Sequence, residues 1–321
     1  MRKNSLVVLL FLSIIFVNCP LIAMEETRVN VMVLSGTTGL SLVKMLEEKP
    51  TLVPKVTIDY TVIKSPDQMV AKIVSGDAQI AALPTNLASI LYNRGLPIQL
   101  AAITNWGVMY IVGQDTGISS WQDLKGKEIG VTGKGSTPDL LFRYFLSANG
   151  LDPEKDVQIQ YYPTPAELAQ LTIAGKVRLA TLPEPWVTEV VKREPSFDIL
   201  LDYQKEWQRL EGKEESYPQS SLVVNTKLVQ ENPGFVKEFL KAASASSTWV
   251  VNNPKEAGRL AQKHLFISSD AALDAIPRCN LRFIEGYKVK EEVEYFLEKL
   301  LSFQPKSIGG KLPNESFYLQ K

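Results

Sequence analysis

Five short loops gather the residues of this 321-residue chain best suited to holding a small molecule. Gly36, Thr37 and Thr38, then Thr85 and Asn86, then Asn105 and Trp106, then Lys134, Ser136 and Thr137, then Glu184 and Trp186, each follow an apolar run. Hydroxyls and carboxamides both donate and accept hydrogen bonds, indoles offer flat apolar walls, and glycine lets a backbone come close. That is the chemistry of reversible binding. Arg278 adds a planar fork of donors that suits a carboxylate or sulfonate, or equally an inter-helix salt bridge.

Covalent, metal and nucleotide chemistry find little support. The chain has one histidine, His264, on what reads as a helix surface, and two cysteines, Cys19 and Cys279, too few for a disulfide framework or a zinc site. The acidic residues show no spacing that defines an acid/base pair. Counting from Gly130, a phosphate-binding loop needs lysine after Gly135, but Ser136 stands there; Pro138 occupies the last glycine position of the dinucleotide pattern. No cofactor and no metal are expected. Lysines plus arginines equal aspartates plus glutamates at 35 each and are evenly mixed, so no basic stripe marks a nucleic-acid partner.

The loops must be positioned by something, and the chain repeats at an offset of 99 residues. Gly36-Thr37-Thr38 aligns with Gly135-Ser136-Thr137, and Gly76 to Pro84 aligns with Gly175 to Pro183. A unit this long is an α/β block used twice, which implies two similar lobes with a cleft between them. Strands are expected at 28–34, 128–132, 157–161 and 177–182, with a helix from the Gly36 turn to Pro50, one begun by Pro138 behind a Ser136 or Thr137 cap, and one from Pro165 to Gly175. Alternating strands and helices predict mostly parallel sheets flanked by helices, with ligands beyond the carboxyl ends of the strands. Helix N-termini opening there suit an anion or a neutral polar edge.

Further along, Ser221 to Asn225 reads as a strand returning to the first lobe. Amphipathic helices follow at 233–252, 254–265 and 290–303. The 205–217 stretch, rich in lysine, glutamate and glutamine, reads as a solvated surface segment whose Trp207 and Tyr217 are candidates for the cleft edge. At the N-terminus, Arg2-Lys3 and the apolar run Leu6 to Val17 form an export signal. Two processing sites compete: before Cys19, with lipid on its thiol (signal 1–18), or after Ala23 (signal 1–23).

Asp123 to Val131, Gly133 to Ser136, Gly150 to Val157 and Glu184-Pro185-Trp186 resemble segments of solute-binding proteins of bacterial ABC importers, in the nitrate/sulfonate/taurine and thiamine-pyrimidine-precursor-like group. Ile276 to Asn280, Phe283 to Gly286 and Pro305 to Pro313 look like a sub-branch of it. Arg178 departs from the aspartate common in the group's Gly-x-Val-Asp-Ala turn, and its mid-strand place points to solvent. The resemblance implies a type II periplasmic-binding-protein-like α/β fold of two lobes, 28–111 plus 218–321 and 112–217, joined by two crossing strands and closing on the solute. It implies an exported protein, periplasmic or anchored by lipid to the outer face of the cytoplasmic membrane. Such a protein acts as a monomer that delivers a small polar organic molecule, aromatic or anionic, to an ABC permease. Two tryptophans favour a planar ligand over bare nitrate. A ligand sensor or adhesin on the same fold, and a pyrimidine-forming enzyme, are the alternatives; the export signal and the lack of a catalytic cluster speak against the enzyme.

Overall fold

The computed structural model describes residues 26–114 and 117–321; the expected export signal, including Cys19 and Ala23, lies outside them. In chain order the strands are β1 Thr27–Leu34, β2 Val56–Ile63, β3 Ile80–Pro84, β4 Ile98–Trp106, β5 Met109–Gly113, β6 Glu128–Thr132, β7 Gln158–Tyr162, β8 Leu179–Pro183, β9 Asp198–Asp202, β10 Pro218–Asn225 and β11 Leu281–Glu285. They form two sheets, ordered β11-β4-β10-β3-β1-β2 and β7-β6-β8-β5-β9.

The 99-residue repeat is visible in three dimensions. β3 and β8 coincide at that offset, as do helices Pro66–Val74 and Pro165–Ile173. Both helices start alike: Ser65 Oγ accepts from the Gln68 N–H at 3.4 Å and Thr164 Oγ1 from the Glu167 N–H at 3.2 Å, each just before a proline. The run β2-β1-β3 in one sheet therefore matches β7-β6-β8 in the other.

The sheets are mixed, where mostly parallel sheets were expected. The repeated block is parallel, but each sheet also receives a strand running the other way. β5, which follows β4 of the first sheet, pairs antiparallel with β8 and β9 of the second. β10, which follows β9 of the second sheet, pairs antiparallel with β3 and β4 of the first. The chain thus crosses between sheets twice, and the crossing strands occupy equivalent slots.

Local signals set most helices. Helices Pro233–Asn252, Pro254–Leu265 and Lys290–Phe303 lie where expected. The helix expected after Gly36 is broken into Thr37–Leu40 and Val43–Glu48, with Lys49 left-handed at φ 44° ending the second piece. At Gly39 a Cβ would stand 2.6 Å from the Leu34 carbonyl, so this tight turn has no room for a side chain. Helix Thr137–Ala148 takes Ser136 as its cap position without a side-chain cap bond; Asp139 instead accepts from the Gly135 N–H at 2.8 Å.

The 205–217 stretch differs most from expectation. Helix Tyr203–Glu211 exposes Lys205 and Arg209, but Trp207 and Tyr217 are buried. Trp207 packs edge-on to Tyr217 and Phe296, with ring centroids 5.7 and 5.8 Å away, beside Tyr295 and Tyr144. Its period-3.6 pattern hides an apolar stripe beneath a charged face. His264 lies on a helix surface as expected, its Nε2 2.6 Å from Glu47 Oε2, and Arg178 is exposed.

Candidate functional site

The carboxyl ends of β1, β3 and β4 open toward the second sheet, and β10 runs between β3 and β4. Asn105 lies opposite Ser220, and Ser220 opposite Pro84, so three neighbouring strands place one row of residues at this edge. Ser220 was not anticipated, because it belongs to the crossing strand rather than to the repeat. Its hydroxyl oxygen lies 3.0 Å from that of Thr38, which joins the row to the turn after β1. Gly36, at φ 98°, makes that turn possible.

Across from this row stands the equivalent loop of the second sheet. Thr37, buried, donates from its hydroxyl to the Glu184 carbonyl. Trp186, 9% exposed, brings its indole Nε1 to 3.9 Å from where a Cβ on Gly36 would stand, so a bare glycine faces the indole. The Glu184–Pro185 peptide is cis. A second cross-link joins the helix N-termini: Thr137 Oγ1 donates to Asn86 Oδ1 at 2.7 Å, while Asn86 Nδ2 donates to the Ser307 carbonyl at 3.2 Å.

Electrostatics centre on Glu184, whose side chain is fully buried. Its Oε2 accepts from Thr188 N at 3.1 Å and Thr188 Oγ1 at 2.7 Å; its Oε1 accepts from Arg278 Nε at 2.5 Å. Arg278 Nη2 also donates to Thr188 Oγ1 at 2.6 Å. Burial pushes the Glu184 carboxyl above the usual carboxylate range, and Arg278 and Thr188 pull it part of the way back. Of the two roles open to Arg278, the structure contains the salt bridge. Thr188 was missed, although its place one helical turn after Glu184 is a usable signal.

The other candidates stand apart. Trp106 is buried, with its Nε1 donating to the Arg282 carbonyl at 3.3 Å and the Arg282 guanidinium 4.3 Å from its ring, so a protein cation covers that indole face. Lys134 is exposed, with its ammonium 5.5 Å from the Tyr161 ring. Ser136 donates to the Thr132 carbonyl at 2.9 Å and so closes its own loop. Thr85 and Asn105 are fully buried at the row. The structure therefore brings Gly36, Thr37, Thr38, Thr85, Asn86, Asn105, Thr137, Glu184, Trp186 and Arg278 to one junction between the sheets. Among the described residues no group of histidine, cysteine, aspartate and glutamate is arranged to hold a metal ion.

Comparison with known proteins agrees with this architecture. Residues 111–264 match the model of the NMT1-like family. The nitrate/nitrite binding protein NrtA of a Nostoc species is 25% identical over 179 residues, which cover 54% of this chain and 38% of NrtA, so the match spans well under half of that relative. An ABC transporter structure from Parabacteroides distasonis superposes with a TM-score of 0.79 at 28% identity, covering 92% of this chain and all of the other. The periplasmic aliphatic sulphonate binding protein SsuA of Escherichia coli shares the fold, with a TM-score of 0.70 at 16% identity over 92% of this chain and 93% of SsuA.

Proposed function

We propose that this protein, an ABC substrate-binding protein of the nitrate/sulfonate group, captures a small polar organic solute between two lobes and hands it to a permease. One lobe comprises residues 28–111 and 218–321, the other 112–217. The observation that carries this reading is the junction itself: the first loop of each repeated α/β unit meets the last loop of the other, bonded through Thr37 to Glu184 and Thr137 to Asn86, and Arg278 adds a bond to Glu184. Two strands alone carry the chain between the sheets, a connection suited to hinge closure.

The protein acts by binding, without catalysis and as a monomer, and its polar contacts are Thr37, Thr38, Thr85, Asn86, Asn105 and Thr137, with Trp186 as a wall. It works outside the cytoplasmic membrane, periplasmic or held at the outer face by lipid on Cys19. The relatives support this placing, SsuA being named periplasmic. Among the described residues no helix is long and apolar enough to cross a membrane.

The bond between Thr137 and Asn86 offers a direct test. Thr137→Val keeps the volume and removes the donor, which is expected to cost about 1 kcal/mol and to move the ligand-free protein toward an open shape. Solution X-ray scattering then records a larger radius of gyration than wild type. An unchanged profile with an unchanged melting temperature counts against closure through this contact.

A further inference from the structure

The row at the end of the first sheet carries neutral polar groups that the protein itself leaves unsatisfied. Asn105 is fully buried, yet neither its Oδ1 nor its Nδ2 has a hydrogen-bond partner among the described residues. The Thr85 hydroxyl, one residue beyond Pro84 and equally buried, shares that condition. Asn105 pairs with Ser220 at a bulge in the ladder between β4 and β10, which sets it beside Ser220 and its neighbour Thr38 at the end of the sheet. Buried polar atoms are nearly always bonded, because each one left unpaired costs about 1–3 kcal/mol. Twelve buried side-chain atoms lack a partner among the described residues, and three of them belong to this row, where two lobes meet and a ligand would satisfy them.

Charge narrows the class. The cations near the junction are committed: Arg278 to Glu184 and Thr188, Arg282 to Glu215 and the Trp106 face, and Lys134 to the Tyr161 ring. An anion entering here would have to compete for cations that are already paired, whereas a neutral molecule would meet amide and hydroxyl groups. We infer that the deep end of the cleft takes an uncharged solute with an amide-like edge, a donor beside an acceptor, read by both atoms of Asn105 with Thr85 alongside. A carboxamide matches such an edge because it presents one donor and one acceptor side by side. The inference rests on the solute-binding reading and names its substrate class.

A thermal-shift assay on the purified protein tests it with two probe sets: nicotinamide, uracil and cytosine against nicotinate, methanesulfonate and nitrate. The expected result is a saturable rise with at least one neutral probe and none with the anions. Asn105→Leu should weaken that binding about tenfold or more, and Thr85→Val by less, with the ligand-free melting temperature kept or raised because no lost atom had a partner and each unpaired one is costly. If the leucine variant does not fold, the valine variant carries the test. A rise with the anions alone overturns the inference and leaves solute binding standing; no rise with either set overturns both. Undiminished binding by the variants that fold overturns the role of the row.

Discussion

Arg278→Ala should destabilise the protein by about 3 kcal/mol near neutral pH, with a loss that shrinks in acid. Arg278 is partly exposed, but its partner Glu184 is not, so the cost comes from a carboxylate left buried without its counter-charge. The pH dependence follows from the direction in which Glu184 is shifted. Burial already raises its pKa in the folded state, and Arg278 is the charge that opposes that rise. A carboxyl raised on folding stabilises fully below the ordinary carboxyl pKa, where it is protonated in both states. That contribution is lost as the pH climbs through the raised folded value. Without Arg278 the folded value rises further, so urea unfolding should show the variant close to wild type at about pH 4 and far below it at about pH 8. An equal loss at both pH values would mean that Arg278 acts through packing instead. Because Arg278 lies just before β11 of the first sheet and Glu184 just after β8 of the second, the same variant should also loosen the junction.

Trp207→Ala is expected to cost about 3–5 kcal/mol, the range for deleting a fully packed tryptophan. Trp207 is 2% exposed and touches aromatic rings from both sides of the molecule. Tyr144 comes from the helix after β6, Tyr295 and Phe296 from helix Lys290–Phe303, and Tyr217 stands one residue before the returning strand β10. Tyr144 and Tyr295 also donate to Glu211, to which Lys299 is paired at 2.6 Å, so polar bonds span the same seam. Trp207→Phe should recover most of the loss by refilling the aromatic volume. Chemical denaturation measures both variants, and a loss under about 1 kcal/mol for the alanine variant would show that the seam does not depend on this ring.

How much of this was legible in the sequence depended on whether a signal was local. Pro233, Pro254 and the apolar spacing after Lys290 lie within the helices they announce, and those helices start and end where the residues indicate. The 99-residue offset carried further, because equal spacing forces equal topology: β3 and β8 had to be counterparts once their sequences aligned. Mixed sheets were not legible. β5 follows β4 after only two residues, and nothing in Met109 to Gly113 says that its partners are β8 and β9. Arg278 and Glu184 stand 94 residues apart, and only the folded chain decides between a salt bridge and a free fork. Trp207 was concealed by its charged neighbours, although the helical period over Tyr203, Trp207 and Leu210 held the clue. Asn105 was found from its place after an apolar run, but its unpaired amide becomes visible only when the partners around it are known.

Scattering on the purified protein, titrated with whichever probe raises its melting temperature, tests solute capture by closure most directly. The account predicts a ligand-free protein that is open only part of the time and a radius of gyration that falls and saturates at the same concentration as the thermal shift. A saturating thermal shift with an unchanged scattering curve would contradict closure.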